Sequence, residues 1–167
     1  MTDNQNDSVQ REDLPNDVSR RDFIAMSVAA GVAAAVAPAS MDAAMPVVDT
    51  DVMIKMPDGM CDAAFIHPTT GSHPAVLIWA DAFGLRPSMR EIGKRIAAEG
   101  YSVLVPNPFY RLAKAPIVAN VSTFNFQTDM AKIQPLMASV NAPGAAEKDA
   151  AAYLAFLDAQ SQVNKSK

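Results

Sequence analysis

Apolar and polar positions are most clearly ordered between Ala75 and Arg111. Ala75-Val76-Leu77-Ile78-Trp79 is apolar without alternation and predicts a strand covered on both faces. The run stops at Asp81, Gly84 supplies a turn, and Pro87 is placed to open a helix. In that helix Met89, Ile92 and Ile96 recur at i, i+3 and i+7 as one apolar stripe, with Arg90, Lys94, Arg95 and Glu99 largely off it. Gly100 offers a left-handed stop, and a second apolar run, Val103-Leu104-Val105, is closed by Pro106. Strand, helix and strand joined this tightly predict a βαβ crossover whose two strands lie parallel in a covered sheet.

The flanking patterns are simpler. Val47 to Ile54 and Ala63 to Ile66 flank Met56-Pro57-Asp58-Gly59, and Asp-Gly between apolar runs predicts a hairpin. His67-Pro68 ends its second strand, and Ser72-His73-Pro74 reads as a loop. After Arg111, Lys114 to Asn120 reads as a loop around Pro116. Ser122 to Val140 has helical spacing at Phe126, Met130, Ile133 and Met137, with Pro135 expected to kink or end the helix. Beyond Pro143-Gly144 a further helix turns Tyr153, Leu154 and Leu157 inward and keeps Glu147, Lys148, Asp149 and Asp158 off that face.

The first 18 residues are polar and read as a disordered leader. Ser19-Arg20-Arg21-Asp22-Phe23-Ile24 then precedes an alanine-rich apolar run ending at Ala37-Pro38-Ala39. Paired Arg20 and Arg21, a short apolar segment and a small-x-small site resemble a bacterial twin-arginine export signal. Ile24 to Ala37 is too short to cross about 30 Å of hydrocarbon, which argues against a stable membrane anchor. The division expected is residues 1–39 as leader and signal and 40–167 as one domain, with export to the periplasm or beyond and the export machinery as a partner.

Composition removes several function classes. The chain has 167 residues, half of them hydrophobic, which suits a single domain. A net charge of −4 without a basic run argues against nucleic-acid binding. Two histidines and one cysteine, with no metal-ligand spacing, argue against a structural or catalytic zinc site, and the glycines form no phosphate loop. Cys61 has no nucleophile elbow around it and reads as a strand thiol. Ser72 and His73 are sequence neighbours, an arrangement that rarely aligns two side chains for proton transfer.

Asp81-Ala82-Phe83-Gly84, the helix ending Ala97-Ala98-Glu99-Gly100-Tyr101, and Pro106-Asn107-Pro108-Phe109-Tyr110-Arg111 together resemble the dienelactone hydrolase family over about residues 51 to 160. The resemblance implies an α/β-hydrolase fold opening with a hairpin, and hydrolysis of a carboxylic ester or lactone through an acyl intermediate, with no metal or organic cofactor. It further implies that Asp81 stands where the family has a glutamate beside its nucleophile, that the Ala82 N–H is an oxyanion-hole donor, and that Arg111 binds a substrate carboxylate. For Asp81 a carboxylate capping its own turn, and for Arg111 a solvated side chain, stand as alternatives. The nucleophile elbow of this fold, G-x-S-x-G or its cysteine version, is not found in the sequence, and nor are the triad acid and histidine that follow it. The chain is therefore expected to be the N-terminal half of the fold, truncated before the nucleophile strand and inactive alone. Two alternatives are an exported, non-catalytic module that binds an acidic small molecule, and a mis-terminated reading frame without function.

Overall fold

The computed structural model describes residues 44–118 and 120–166, so the export signal with Arg20 and Arg21 lies outside the described residues. Strands β1 (Val47–Met56) and β2 (Gly59–Pro68) form the hairpin, antiparallel from Val47↔Pro68 to Met56↔Gly59. Pro57 and Asp58 are left as the two turn residues. Strand β3 (Ala75–Leu77), helix α1 (Pro87–Ala98) and strand β4 (Ser102–Pro106) form the expected crossover, with β3 and β4 parallel. A 3-10 turn (Val121–Thr123) leads to α2 (Phe126–Val140), and α3 (Ala145–Ala159) follows.

The sheet order is β1-β2-β4-β3, and it is covered on both sides. One face carries Ala64, Ile66, Val103 and Val105 against Leu85 and Ala97. The other carries Ile54, Ala63, Phe65 and Leu104 against Tyr153 and Leu157 of α3. Alternate residues of β2 and β4 enter opposite cores, so residues 63–66 and 103–105 are apolar throughout. β3 departs from that expectation. Ala75 is exposed and Val76 and Leu77 are half-buried, because β3 is an edge strand with no outer neighbour among the described residues.

Three helical details also differ from the sequence pattern. The inward face of α1 is Gly93 and Ala97, flanked by half-buried Met89 and Ile96, while Ile92 is exposed. A Cβ at Gly93 would stand 2.8 Å from Ile66 Cδ1, so this glycine lets the helix lie close on the sheet. Helix α2 runs through Pro135: both Pro135 and Ala131, whose carbonyl loses its N–H partner, face solvent. In α3, Leu154 points outward and Asp149 inward, one and two turns before Tyr153 and Leu157 being the same side of the helix.

Candidate functional site

Past β3 the pairing continues for one hydrogen bond, from Ile78 N–H to the Leu104 carbonyl at 2.9 Å. The chain then turns at Asp81. Its Oδ1 accepts from Phe83 N–H at 3.0 Å and from Arg86 Nη1 at 2.7 Å, its Oδ2 from Arg86 Nη2 at 2.8 Å, and its carbonyl from Gly84 N–H at 2.9 Å. This is the turn-capping alternative, with Arg86 as a partner the sequence pattern did not single out. The Arg86 contact, aided by the Phe83 N–H, holds the Asp81 carboxyl below its ordinary pKa. Gly84 has φ +67, and a Cβ there would meet the Phe109 ring at 3.0 Å. The N–H of Ala82 meets no acceptor among the described residues.

Phe109 is brought to this turn by the segment after β4. Asn107, fully buried, receives Phe109 N–H on Oδ1 at 3.0 Å and donates from Nδ2 to Asp62 Oδ1 at 2.9 Å and the Ala113 carbonyl at 2.8 Å. Asp62 in turn accepts Ala115 N–H at 2.8 Å. A buried amide with its donors and acceptor all engaged fixes the loop firmly. The result is a cleft of about 180 Å³ at the carboxyl ends of β3 and β4. Trp79, Asp81 and Ala82 form one wall, Phe109 another, and Met137, Val140 and Asn141 of α2 the third. In open α/β sheets this end of the strands is where ligands bind.

Arg111 is not in that wall. Its Nη1 and Nη2 donate to the two oxygens of Asp149 at 2.8 and 2.7 Å, and its Nε to Asp58 Oδ2 at 2.8 Å. Asp149 is 1% exposed and also accepts from Tyr110 O–H at 2.9 Å. The two carboxylates raise the Arg111 pKa further, the Asp149 hydrogen bonds first among the causes. The fork expected to hold a substrate carboxylate is thus filled by protein carboxylates, and it is not a solvated side chain either. It ties the hairpin turn, through Asp58, to α3. A substrate anion would have to displace one of them.

The remaining candidates do not assemble a nucleophile. Cys61 is fully buried in β2, 3.7 Å from the Tyr153 hydroxyl, and burial pushes its thiol up to about 11. His67 and His73 each hydrogen-bond a carbonyl close in sequence, Pro68 at 2.7 Å and Thr70 at 2.9 Å. No group of three or more His, Cys, Asp or Glu side chains is placed to hold a metal among the described residues. A larger groove of about 420 Å³ opens between β1 and the start of α1, but its Arg86 and Arg90 are already paired, with Asp81 and with Asp49 and Asp51.

Comparison with known proteins bears on the family and the fold. A profile of the dienelactone hydrolase family matches residues 61–167. A protein of Methylorubrum extorquens, provisionally named carboxymethylenebutenolidase, is 32% identical over 113 residues, covering 62% of this chain and 38% of that protein. The solved structure designated m3DLH superposes with a TM-score of 0.56 at 23% identity over 71% of this chain and 46% of its own. A dienelactone-hydrolase-like promiscuous phosphotriesterase from metagenomic libraries gives 0.54 at 22% identity over 72% and 46%. The chain therefore spans less than half the length of each of these relatives.

Proposed function

The chain belongs to the dienelactone hydrolase family, and from that premise we propose that it supplies the oxyanion-binding side of a carboxylic ester or lactone hydrolase. The observation that carries this reading is the Ala82 N–H, without an acceptor among the described residues, in the wall of a cleft at the carboxyl ends of β3 and β4. In acyl transfer the carbonyl oxygen becomes an anion, and a fixed N–H aimed at it is worth most in a small, dry site. Asp81 and Arg86 act on that donor indirectly, by locking the turn that carries it.

The nucleophile, triad acid and triad histidine are not recognisable in these residues, so the reading assigns them to a segment that completes the sheet on the open edge of β3. The test is a chimera joining residues 44–167 to the carboxyl-terminal part of the Methylorubrum relative. A folded chimera is expected to hydrolyse an activated ester, and Ala82→Pro, which removes the N–H, to lower kcat by about 10²–10³-fold. Equal kcat in Ala82→Pro would remove the oxyanion assignment. A non-catalytic module for acidic molecules is the second reading, and its ligand would have to displace Asp149 or Asp58 from the Arg111 fork.

Export belongs to the same proposal. Its support is Arg20-Arg21 ahead of the short apolar run to Ala37, which resembles a twin-arginine signal and favours a mature protein in the periplasm or outside the cell. Residues 1–45 fused to a folded reporter are expected to direct export, and Arg20→Lys with Arg21→Lys to abolish it. Export that survives the double substitution would refute the assignment.

A further inference from the structure

We propose that the outer edge of β1 pairs with the same edge of a second copy of this chain, antiparallel and centred on Met53, so that two sheets become one. β1 (Val47–Met56) pairs only with β2 among the described residues, and its other side presents a row of backbone N–H and C=O groups. Its register with β2 is continuous from end to end, and it contains no proline that would blunt the edge. The proposed function uses the β3 edge, which leaves β1 as the free end of the sheet.

Two-fold symmetry restricts how such a pair can form. Identical strands paired antiparallel about a two-fold axis set residues of like parity opposite each other, which keeps partners on one face of the sheet. In β1, Val52, Ile54 and Met56 turn toward the core under α3, while Asp51, Met53 and Lys55 are exposed. Centring the pair on Asp51 sets that residue against itself, and centring it on Thr50 sets Asp49 against Asp51 twice; like charges directly opposite are destabilising. Centring it on Val52 needs Asp49, which is 17% exposed and already holds Arg90 and Lys94. Centring it on Ile54 gains no ion pair. Centring it on Met53 sets Asp51 against Lys55 of the copy twice, Val52 against Ile54 twice, and covers Met53, which is 51% exposed, with its own counterpart. Asp51 is 85% exposed, and Lys55 makes no ion pair among the described residues. Arg90 also reaches Asp51, and Asp49 keeps it bound when Asp51 turns to Lys55. Apolar surface continues on both sides of the edge, in the groove beside Val52 and Met53 and in another of about 550 Å³ beside Ile54 and Met56.

Sedimentation equilibrium of the full chain over a range of concentrations is expected to give a monomer–dimer equilibrium. Asp51→Lys and Lys55→Asp each create two like-charge oppositions and are expected to raise the dimer Kd about tenfold or more. The double variant restores the opposition with signs exchanged and is expected to recover the affinity. Should Asp51→Lys unfold through its loss to Arg90, Met53→Lys, at an exposed position, is expected to give the same rise. A chain that stays monomeric throughout would overturn the proposal, and so would a dimer that neither Lys55→Asp nor Met53→Lys weakens. A double variant no tighter than either single one would overturn it as well. The cleft plays no part in this measurement, so an inactive chimera would sink the hydrolase reading while leaving this result standing.

Discussion

Arg111 and Asp149 show how far a side chain's role depends on what the fold brings to it. Arg111 follows β4, Asp149 sits in α3 and Asp58 in the hairpin turn, and the two-pronged pair between the first two is largely closed to water. Removing one partner from such a pair costs more than removing both, since the survivor keeps its charge and loses its solvation. Arg111→Ala is therefore expected to lower unfolding free energy by about 3–5 kcal/mol. Arg111→Met combined with Asp149→Leu should recover a large part of that. Urea denaturation of the three proteins measures it, and a double variant worse than Arg111→Ala would contradict the account. The inward position of Asp149 was open to view in the sequence: Asp149, Tyr153 and Leu157 recur at i, i+4 and i+8. Reading an aspartate as solvated by its type alone hid it, because burial of a charge is decided by a partner 38 residues away.

At the scale of elements, the local patterns carried the hairpin and the βαβ crossover, since each rests on contacts between neighbours in sequence and on turn residues such as Gly100 and Asp58-Gly59. They failed where a neighbour in space decides. β3 has the composition of a covered strand and the exposure of an edge, because composition does not say whether a further strand lies beside it. Ile92 has the spacing of a core residue, yet the contact face of α1 is narrow and centred on Gly93. That close approach makes a prediction. Gly93→Ala gains up to about 1 kcal/mol of helix propensity, but its Cβ would lie 2.8 Å from Ile66 Cδ1 and 3.3 Å from Val105 Cγ2. Overpacking of about 1–3 kcal/mol should win. A lowered Tm is the expected result, and a raised Tm would show that the sheet yields at Ile66. The cleft was legible on its β3 side, through Asp81 and Ala82, and not on its α2 side. Met137 and Val140 look like ordinary helix positions until α2 is set beside Trp79 and Phe109.

At the scale of the whole molecule, two packed cores and a formed cleft are present among the described residues, and under the proposed function the covalent chemistry comes from a further segment. Cys61 is the only thiol, and burial keeps it protonated, up to about 11. The cleft lies at the carboxyl ends of β3 and β4, and β3 is the edge at which the proposed function seats the strand with the nucleophile. The most direct measurement is the rate of 4-nitrophenyl acetate hydrolysis by the purified full chain, set beside the same chain unfolded in urea and beside the chimera. The account predicts that the folded chain matches the unfolded control and that the chimera turns over. Turnover by the folded chain alone would contradict it, because a nucleophile would then be at work within these 167 residues.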